Sequence, residues 1–403
     1  MKKITLFGLL QLVVAMSFAQ ISEEVTFTHE GYTIYGTFTK PANSGKYPVI
    51  VICPGSGAND RNGTLVMLGA TIQCMYPNIY GDTLRTYKDL ATGLTAKGFA
   101  VLRYDKIEYT HSNFGAVTFK KLWLPFMSGV DYVKTRNDVD VSRIILAGHS
   151  EGGMLIPYAA RLRNDISALI NIAGARTPFD SLLAYQYRAF PRKCGQDTTQ
   201  TDNIASQVLS YFALIRSGNW NVSTPPFAGV PAAVWAQYTH IGDSVVINYN
   251  LAAKPTLFLG LGRDNNVPIA TEYNRFEQEI TTPANFVKFP DLIHYMNAYN
   301  EEHASVALVD TIVYWLYAKG LAGIEESSAT KAKLGVHYGE HEIVLSTDKD
   351  ELVSAVILDV TGRELMQVKG TEIVLQRSLF TSGMYVVVAR GKQNSYATKI
   401  WMR

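Results

Sequence analysis

The chain has 403 residues, 47% of them hydrophobic and 18% charged, with a formal net charge of +2. That length suits two or three domains, and that hydrophobic share excludes global disorder. A near-neutral chain carries no electrostatic footprint for nucleic acid, so no nucleic-acid partner is expected.

At the N-terminus, Lys2 and Lys3 precede an apolar run from Ile4 to about Met16, followed by Ser17-Phe18-Ala19. Small residues three and one before a cut after Ala19 fit a secretory signal peptide over residues 1–19. A membrane span needs roughly 20 apolar residues, which this run lacks, so no transmembrane anchor is expected. Loss of Lys2 and Lys3 with the leader would bring the net charge to zero. Three cysteines follow, Cys53, Cys74 and Cys194. An odd number allows one internal bridge and leaves one thiol over. Cys53 closes the apolar run Pro48–Cys53 and reads as a buried small hydrophobe. Cys74 with Cys194 is the pairing left to consider, and the sequence does not decide it.

From Ser22 to Gly320, short apolar runs alternate with longer helical stretches. Strands are expected at Tyr32–Thr39, Val49–Cys53, Phe99–Tyr104, Ile144–Ala147, Ala168–Ala173, Thr256–Leu261 and Phe286–Phe289. Helices are expected at Tyr87–Lys97, Leu122–Lys134, Gly153–Arg163, Thr271–Glu279 and Ala304–Lys319. The alternation predicts a mostly parallel sheet with helices on both faces, begun by antiparallel strands. Residues 176–254 are too long for a simple crossover and rich in aromatics, which reads as an inserted helical cap. Residues 321–333 read as a linker, and residues 334–403 as a small all-β module with turns at Thr361-Gly362 and Ser382-Gly383. The main domain therefore covers residues 20–320.

Chemistry concentrates at Gly148-His149-Ser150-Glu151-Gly152, a G-x-S-x-G pattern. The pattern alone is weak, but a strand at Ile144–Ala147 precedes it and a helix follows. Such a tight strand-to-helix turn projects the Ser150 hydroxyl above the sheet, and the flanking glycines avoid clashes. A serine nucleophile needs a base that is itself oriented by a carboxylate. Asp264 lies in the loop after the Thr256–Leu261 strand, and His294 in the loop after Phe286–Phe289, both at the edge where Ser150 lies. Asp291 and His303 are the weaker substitutes. Two backbone N–H groups must hold the oxyanion: Glu151, directly after the nucleophile, and Ser56 in the turn Cys53-Pro54-Gly55-Ser56-Gly57. The pattern His337-Tyr338-Gly339-Glu340-His341 matches H-x-x-E-H, but without helical periodicity no metal site is expected there.

These stretches resemble the α/β-hydrolase superfamily, specifically bacterial esterases related to dienelactone hydrolases and serine aminopeptidases. The likeness rests on Pro54–Arg61, Val101–Lys106, Gly148–Gly153, Gly262–Pro268 and Pro290–Met296, and covers about Val25 to Leu316. It implies the α/β-hydrolase fold, the triad Ser150, Asp264 and His294, the oxyanion donors Ser56 and Glu151, and no cofactor. Pro54 stands where the family has a histidine, and Leu65–Tyr80 is longer than the family's loop and is expected to reshape the pocket mouth. The last module resembles the C-terminal sorting domain of proteins exported by the type IX system. Its carriers are Val356–Glu364, Ser382–Val387 and the basic end Lys399–Arg403, although the usual Tyr-Pro-Asn-Pro opening is absent.

The expectation is a secreted or surface-attached serine hydrolase acting on small-molecule carboxylic esters, with the export machinery as partner of the last module. An N-terminal peptidase, a thioesterase and a non-catalytic binding module on the same scaffold are the alternatives. The cap is expected either to close an aromatic wall with Trp220 and Trp235 over Ser150 or to form an ordinary helical core.

Overall fold

The computed structural model describes residues 20–42, 45–111, 115–322, 334–347, 351–358, 364–381, 383–392 and 395–402. The expected leader, residues 323–333 of the linker, the Thr361-Gly362 turn and Ser382 lie outside the described residues.

Eight strands form the main sheet: β1 (Gln20–His29), β2 (Tyr32–Pro41), β3 (Tyr47–Cys53), β4 (Ala100–Tyr104), β5 (Val139–His149), β6 (Ile166–Ile172), β7 (Thr256–Leu261) and β8 (Ala284–Phe289). Their spatial order is β1-β2-β4-β3-β5-β6-β7-β8. The β1–β2 and β2–β4 pairs are antiparallel, and every pair from β4 onward is parallel. This is the α/β-hydrolase fold. All residues of β3, β4 and β7 are buried, the reason these strands read as largely apolar runs, with Arg103 of β4 the charged exception. β1 alternates exposed and covered residues at the sheet edge, and its polar half hid it from the sequence reading.

The two faces of β3 separate with the period of two. Val49, Val51 and Cys53 point into one core with Phe126, Val130 and Leu155, from helices Pro125–Lys134 and Glu151–Leu162. Ile50 and Ile52 point into the other with Leu90, Leu94, Leu308 and Ile312, from helices Thr86–Ala96 and Val306–Ala318. Each such buried aliphatic contributes about 1.5–3 kcal/mol by leaving water. Register then fixes where the chemistry sits. Cys53 pairs with Gly148, His149 with Ile172, Ile172 with Leu259, and Leu261 with Phe289. The loops after β3, β5, β7 and β8 therefore leave from one edge of the sheet.

Two additions cover that edge. Between β6 and β7 lie four helices, Phe179–Lys193, Thr199–Ser217, Ala232–Asp243 and Val245–Ala252. An arm at residues 64–85 folds as a short antiparallel ribbon, Thr64–Val66 against Thr83–Arg85, around the helix Ala70–Met75. Cys74 and Cys194 form a disulfide joining the arm to the end of the first cap helix. Cys53 is the buried free thiol.

The last module consists of two antiparallel sheets. Leu334–Tyr338, Glu342–Thr347 and Ile373–Gln376 form one, and Leu352–Leu358, Glu364–Lys369, Gly383–Gly391 and Ser395–Met402 the other. Ile343, Leu345, Ile373 and Leu375 of the first share a core with Leu352, Ala355, Ile357 and Val387 of the second, a small sandwich. His337 lies in a strand and His341 in the turn before the next, so the H-x-x-E-H pattern has no helix to align its imidazoles. Among the described residues no helix is long and apolar enough to cross a membrane.

Candidate active site

Ser150 sits between β5 and the helix Glu151–Leu162, half-buried, with φ +53° and ψ −118°. A non-glycine residue in this region stores about 1–3 kcal/mol of strain, held in place by its surroundings. Here the holding contacts are Ser150 N–H donating to the Ile172 carbonyl at 3.0 Å and Gly153 N–H donating to the Ser150 carbonyl at 2.9 Å. Gly152 is required at this turn, because a side chain there would collide with the Cys53 carbonyl.

His294 and Asp264 are both buried, and His294 Nδ1 lies 2.7 Å from Asp264 Oδ2. The other oxygen, Oδ1, accepts the N–H groups of Asn266 at 2.7 Å and Val267 at 2.8 Å. Those two bonds point the carboxylate at the imidazole. A carboxylate on Nδ1 fixes the tautomer with the proton there, leaving Nε2 to accept a proton. Asp291 is exposed and pairs with Arg263, and exposed His303 pairs with Asp89, so neither substitute joins the group.

His149, the residue before Ser150, connects the histidine loop to this turn. Its Nε2 donates to the His294 carbonyl at 2.9 Å, its Nδ1 accepts from the Tyr87 hydroxyl at 3.0 Å, and its ring lies 4.7 Å from that of His294. The Tyr87 oxygen in turn accepts the Gly55 N–H at 2.8 Å. This series of bonds holds only if His149 is neutral. Burial, reinforced by repulsion from His294, lowers its pKa to about 3. Burial also pushes the Tyr87 phenol up, so it keeps its proton.

The turn after β3 approaches Ser150 closely: a side chain on Gly55 would lie 3.2 Å from the Ser150 Cβ. Asn59 Nδ2 donates to the carbonyls of Gly55, Ser56 and Gly57 and ties the turn together. Asp105, directly after β4, accepts from the Arg61 backbone and guanidinium, which anchors the end of the turn. Ser56 is exposed and Gly55 buried. With the Gly55 N–H committed to Tyr87, the Ser56 N–H is the next donor along the turn. The Glu151 carboxylate is buried and accepts from Trp123 Nε1 at 3.0 Å and the Tyr238 hydroxyl at 2.9 Å.

The arm and cap meet over the acid and histidine loops. Asn265 donates to the Tyr76 hydroxyl at 3.2 Å and accepts from Lys193, while Gln186 donates to the Asn266 carbonyl at 3.0 Å. Met67, Tyr76, Ile79 and Leu84 of the arm pack on Ile293. The long stretch from Leu65 to Tyr80 thus buttresses the residues around Asp264 and His294. Trp235 is buried against Phe179, Phe212, Phe227 and Tyr238, with its Nε1 on the Phe227 carbonyl. It is part of an ordinary helical core, and Trp220 packs on the same cluster. Trp123 and Tyr238 reach the Ser150 turn through Glu151, as Tyr87 does through His149 and Tyr249 through the Gly153 carbonyl.

With this geometry in view, residues 15–186 match the family model described as acetyl xylan esterase (AXE1). Esterase EstD from Thermotoga maritima is 32% identical over 168 residues, 41% of this chain and 36% of that protein. Acetyl esterase Axe7A from Xylanibacter ruminicola is 24% identical over 155 residues, 36% of this chain and 33% of that protein. The matches are to esterases. Each alignment spans about a third of the curated relative's length. A fungal esterase structure from Rhizomucor miehei superposes with a TM-score of 0.49 at 15% identity, covering 75% of this chain and 85% of that one. The matched family segment includes the turn after β3 and the Ser150 turn, and ends before Asp264 and His294.

Sequence reading did not single out Tyr87, His149, Trp123 or Tyr238 as parts of the site. For Asp105, likewise not singled out, a signal existed: it directly follows β4, buried throughout, inside a stretch that carries the family likeness. Tyr87, Trp123 and Tyr238 reach the site from helices that are distant in the chain, and no local pattern marks them.

Proposed function

We propose that this chain is an exported serine hydrolase that cleaves carboxylic esters through an acyl-enzyme. Ser150 Oγ attacks the ester carbonyl while His294 Nε2 takes its proton, and Asp264 holds the imidazolium through Nδ1. The Ser56 and Glu151 N–H groups hold the oxyanion. Collapse expels the alcohol with the proton from His294; water, activated by the same imidazole, then releases the acid and restores Ser150. The observation that carries this reading is the buried 2.7 Å His294–Asp264 contact, joined through His149 to a serine held at positive φ.

The matched family and the name of Axe7A point to acetyl esters as the first substrates to assay. The peptidase alternative is weakened by the cap. A free amine needs unpaired acidic groups, yet of the cap's acids Asp180 and Asp243 are taken by Arg216 and Asp202 by Arg192, and Asp197 accepts from the Thr199 N–H and hydroxyl. Export is supported by the leader-like first 19 residues, by the sorting-domain likeness of the last module and by the disulfide, which forms and persists in oxidising compartments. Replacing Ser150 with Ala and assaying 4-nitrophenyl acetate tests the mechanism. Turnover should fall to background with the fold intact, and retained turnover would remove Ser150 from the chemistry.

A further inference from the structure

Lys106 is a charged residue buried beneath the nucleophile turn, and the mechanism above leaves it without a role. Its Nζ donates to the Gly55 carbonyl at 3.3 Å and to Glu151 Oε2 at 3.4 Å, and lies 3.8 Å from Glu108 Oε1. Its backbone N–H donates to the Asn59 carbonyl at 3.0 Å. Burying an ammonium is costly unless it is paired and hydrogen-bonded. Burial alone would lower its pKa, but attraction to Glu151 and Glu108 outweighs that and holds it above the ordinary lysine value. The side chain is therefore a fixed positive charge.

The two hydrogen-bond acceptors of the Lys106 ammonium are the carbonyl of the Gly55–Ser56 peptide and the side chain of Glu151, each joined to one of the N–H groups assigned to the oxyanion. The Gly55 carbonyl and the Ser56 N–H are opposite ends of one planar trans peptide unit. A bond that fixes the carbonyl end fixes where the N–H end points, and an ammonium on the carbonyl polarises the peptide and strengthens its N–H as a donor. On the other side, the Glu151 carboxylate is held by Lys106, Trp123 and Tyr238. Those bonds pin the first residue of the helix whose N–H is the second donor.

We infer that Lys106 is the positioning residue of the oxyanion hole, setting the Gly55–Ser56 peptide and the Glu151 backbone at their mutual spacing through one buried ammonium. The inference rests on the hydrolase reading given above. It assigns Lys106 no contact with substrate and no proton transfer. Its effect is on the tetrahedral state, where the oxyanion forms, and it is absent from ground-state binding.

The test uses the full chain and three variants: Lys106→Met, Lys106→Arg, and Lys106→Met combined with Glu151→Gln. The double variant also removes the Glu151 carboxylate that Lys106→Met would leave buried without its cation, giving a second variant without the ammonium if the single one fails; half-buried Glu108 keeps its carboxylate in both. Active sites are counted with a fluorophosphonate, and kcat per labelled site and KM are read with 4-nitrophenyl acetate. Affinity for a short alkylboronic acid, which forms a tetrahedral adduct on the serine, is read alongside. In the variants without the ammonium kcat per site should fall about tenfold to a hundredfold with KM within about twofold, and boronate affinity should fall in parallel. Lys106→Arg should recover part of both. A kcat per site within twofold of wild type in a folded variant without the ammonium would overturn the inference, as would a kcat loss with boronate affinity unchanged. Wild-type protein that does not label at all would instead overturn the hydrolase reading, and this inference with it.

Discussion

His149 offers a sharp test, because one side chain there couples the site to acid stability. It is fully enclosed between Tyr87 and the His294 carbonyl, and its pKa is lowered from 6.5 to about 3, chiefly by burial. In the unfolded chain the imidazole regains its ordinary value, so the unfolded state binds more protons at every pH between the two values. The stabilisation is complete above about pH 6.5 and is lost as pH falls toward 3. Proton linkage gives a loss of about 2 kcal/mol between pH 7 and pH 5 from this residue alone. Replacing His149 with Asn removes the titrating group. Denaturant unfolding followed by tryptophan fluorescence at both pH values, for both proteins, supplies the double difference. Buried His29 is lowered in the same direction but is present in both proteins and cancels. Wild type should lose about 2 kcal/mol more than the variant on going to pH 5. Equal losses in the two proteins would show that His149 is not held neutral, and the Gly55–Tyr87–His149–His294 bonding would fall with it.

Three further outcomes are expected. Reduction of Cys74–Cys194, or its replacement by serines, should lower unfolding stability by about 2–4 kcal/mol, measured by denaturant titration with and without dithiothreitol. It should also depress kcat, since the bridge holds the arm against the Asp264 and His294 loops. Gly152→Ala should lose activity and soluble expression together, because its methyl group would meet the Cys53 carbonyl on β3, a backbone atom that cannot move aside. Deleting residues 331–403 should leave esterase turnover intact while the protein stays in the periplasm, read by cell fractionation; normal appearance outside the cell would end the sorting reading.

The parts of this molecule legible in the sequence are those with local signatures. β3 and β7 are buried on both faces and announce themselves as largely apolar runs, and Ser150 is marked by the glycines its turn demands. Asp264 and His294, which the fold brings within 2.7 Å of each other, stand in the loops after β7 and the half-buried β8. β1 escaped because an edge strand with one wet face has the composition of a loop, and the module's strands at Leu334–Tyr338, Glu364–Lys369 and Ser395–Met402 escaped for the same reason. Tyr87, Lys106 and Tyr238 act across 32, 45 and 87 residues of chain, and contacts of that range have no period or motif to betray them. The disulfide across 120 residues was undecided for the same reason: proximity of the two thiols is a property of the fold alone.

Val208, Phe212, Trp235 and Tyr249 of the cap belong to one continuous hydrophobic cluster with Val49 and Val51 of the central strand and Leu155 behind the nucleophile. Such a cap is not a lid. Swinging it open would wet an aromatic core and strip Tyr238 from a buried carboxylate, a cost on the scale of partial unfolding. Substrate then reaches Ser150 without the cap lifting, and no cap-opening step enters the turnover rate. Cap opening then contributes nothing to any dependence of kcat on solvent viscosity.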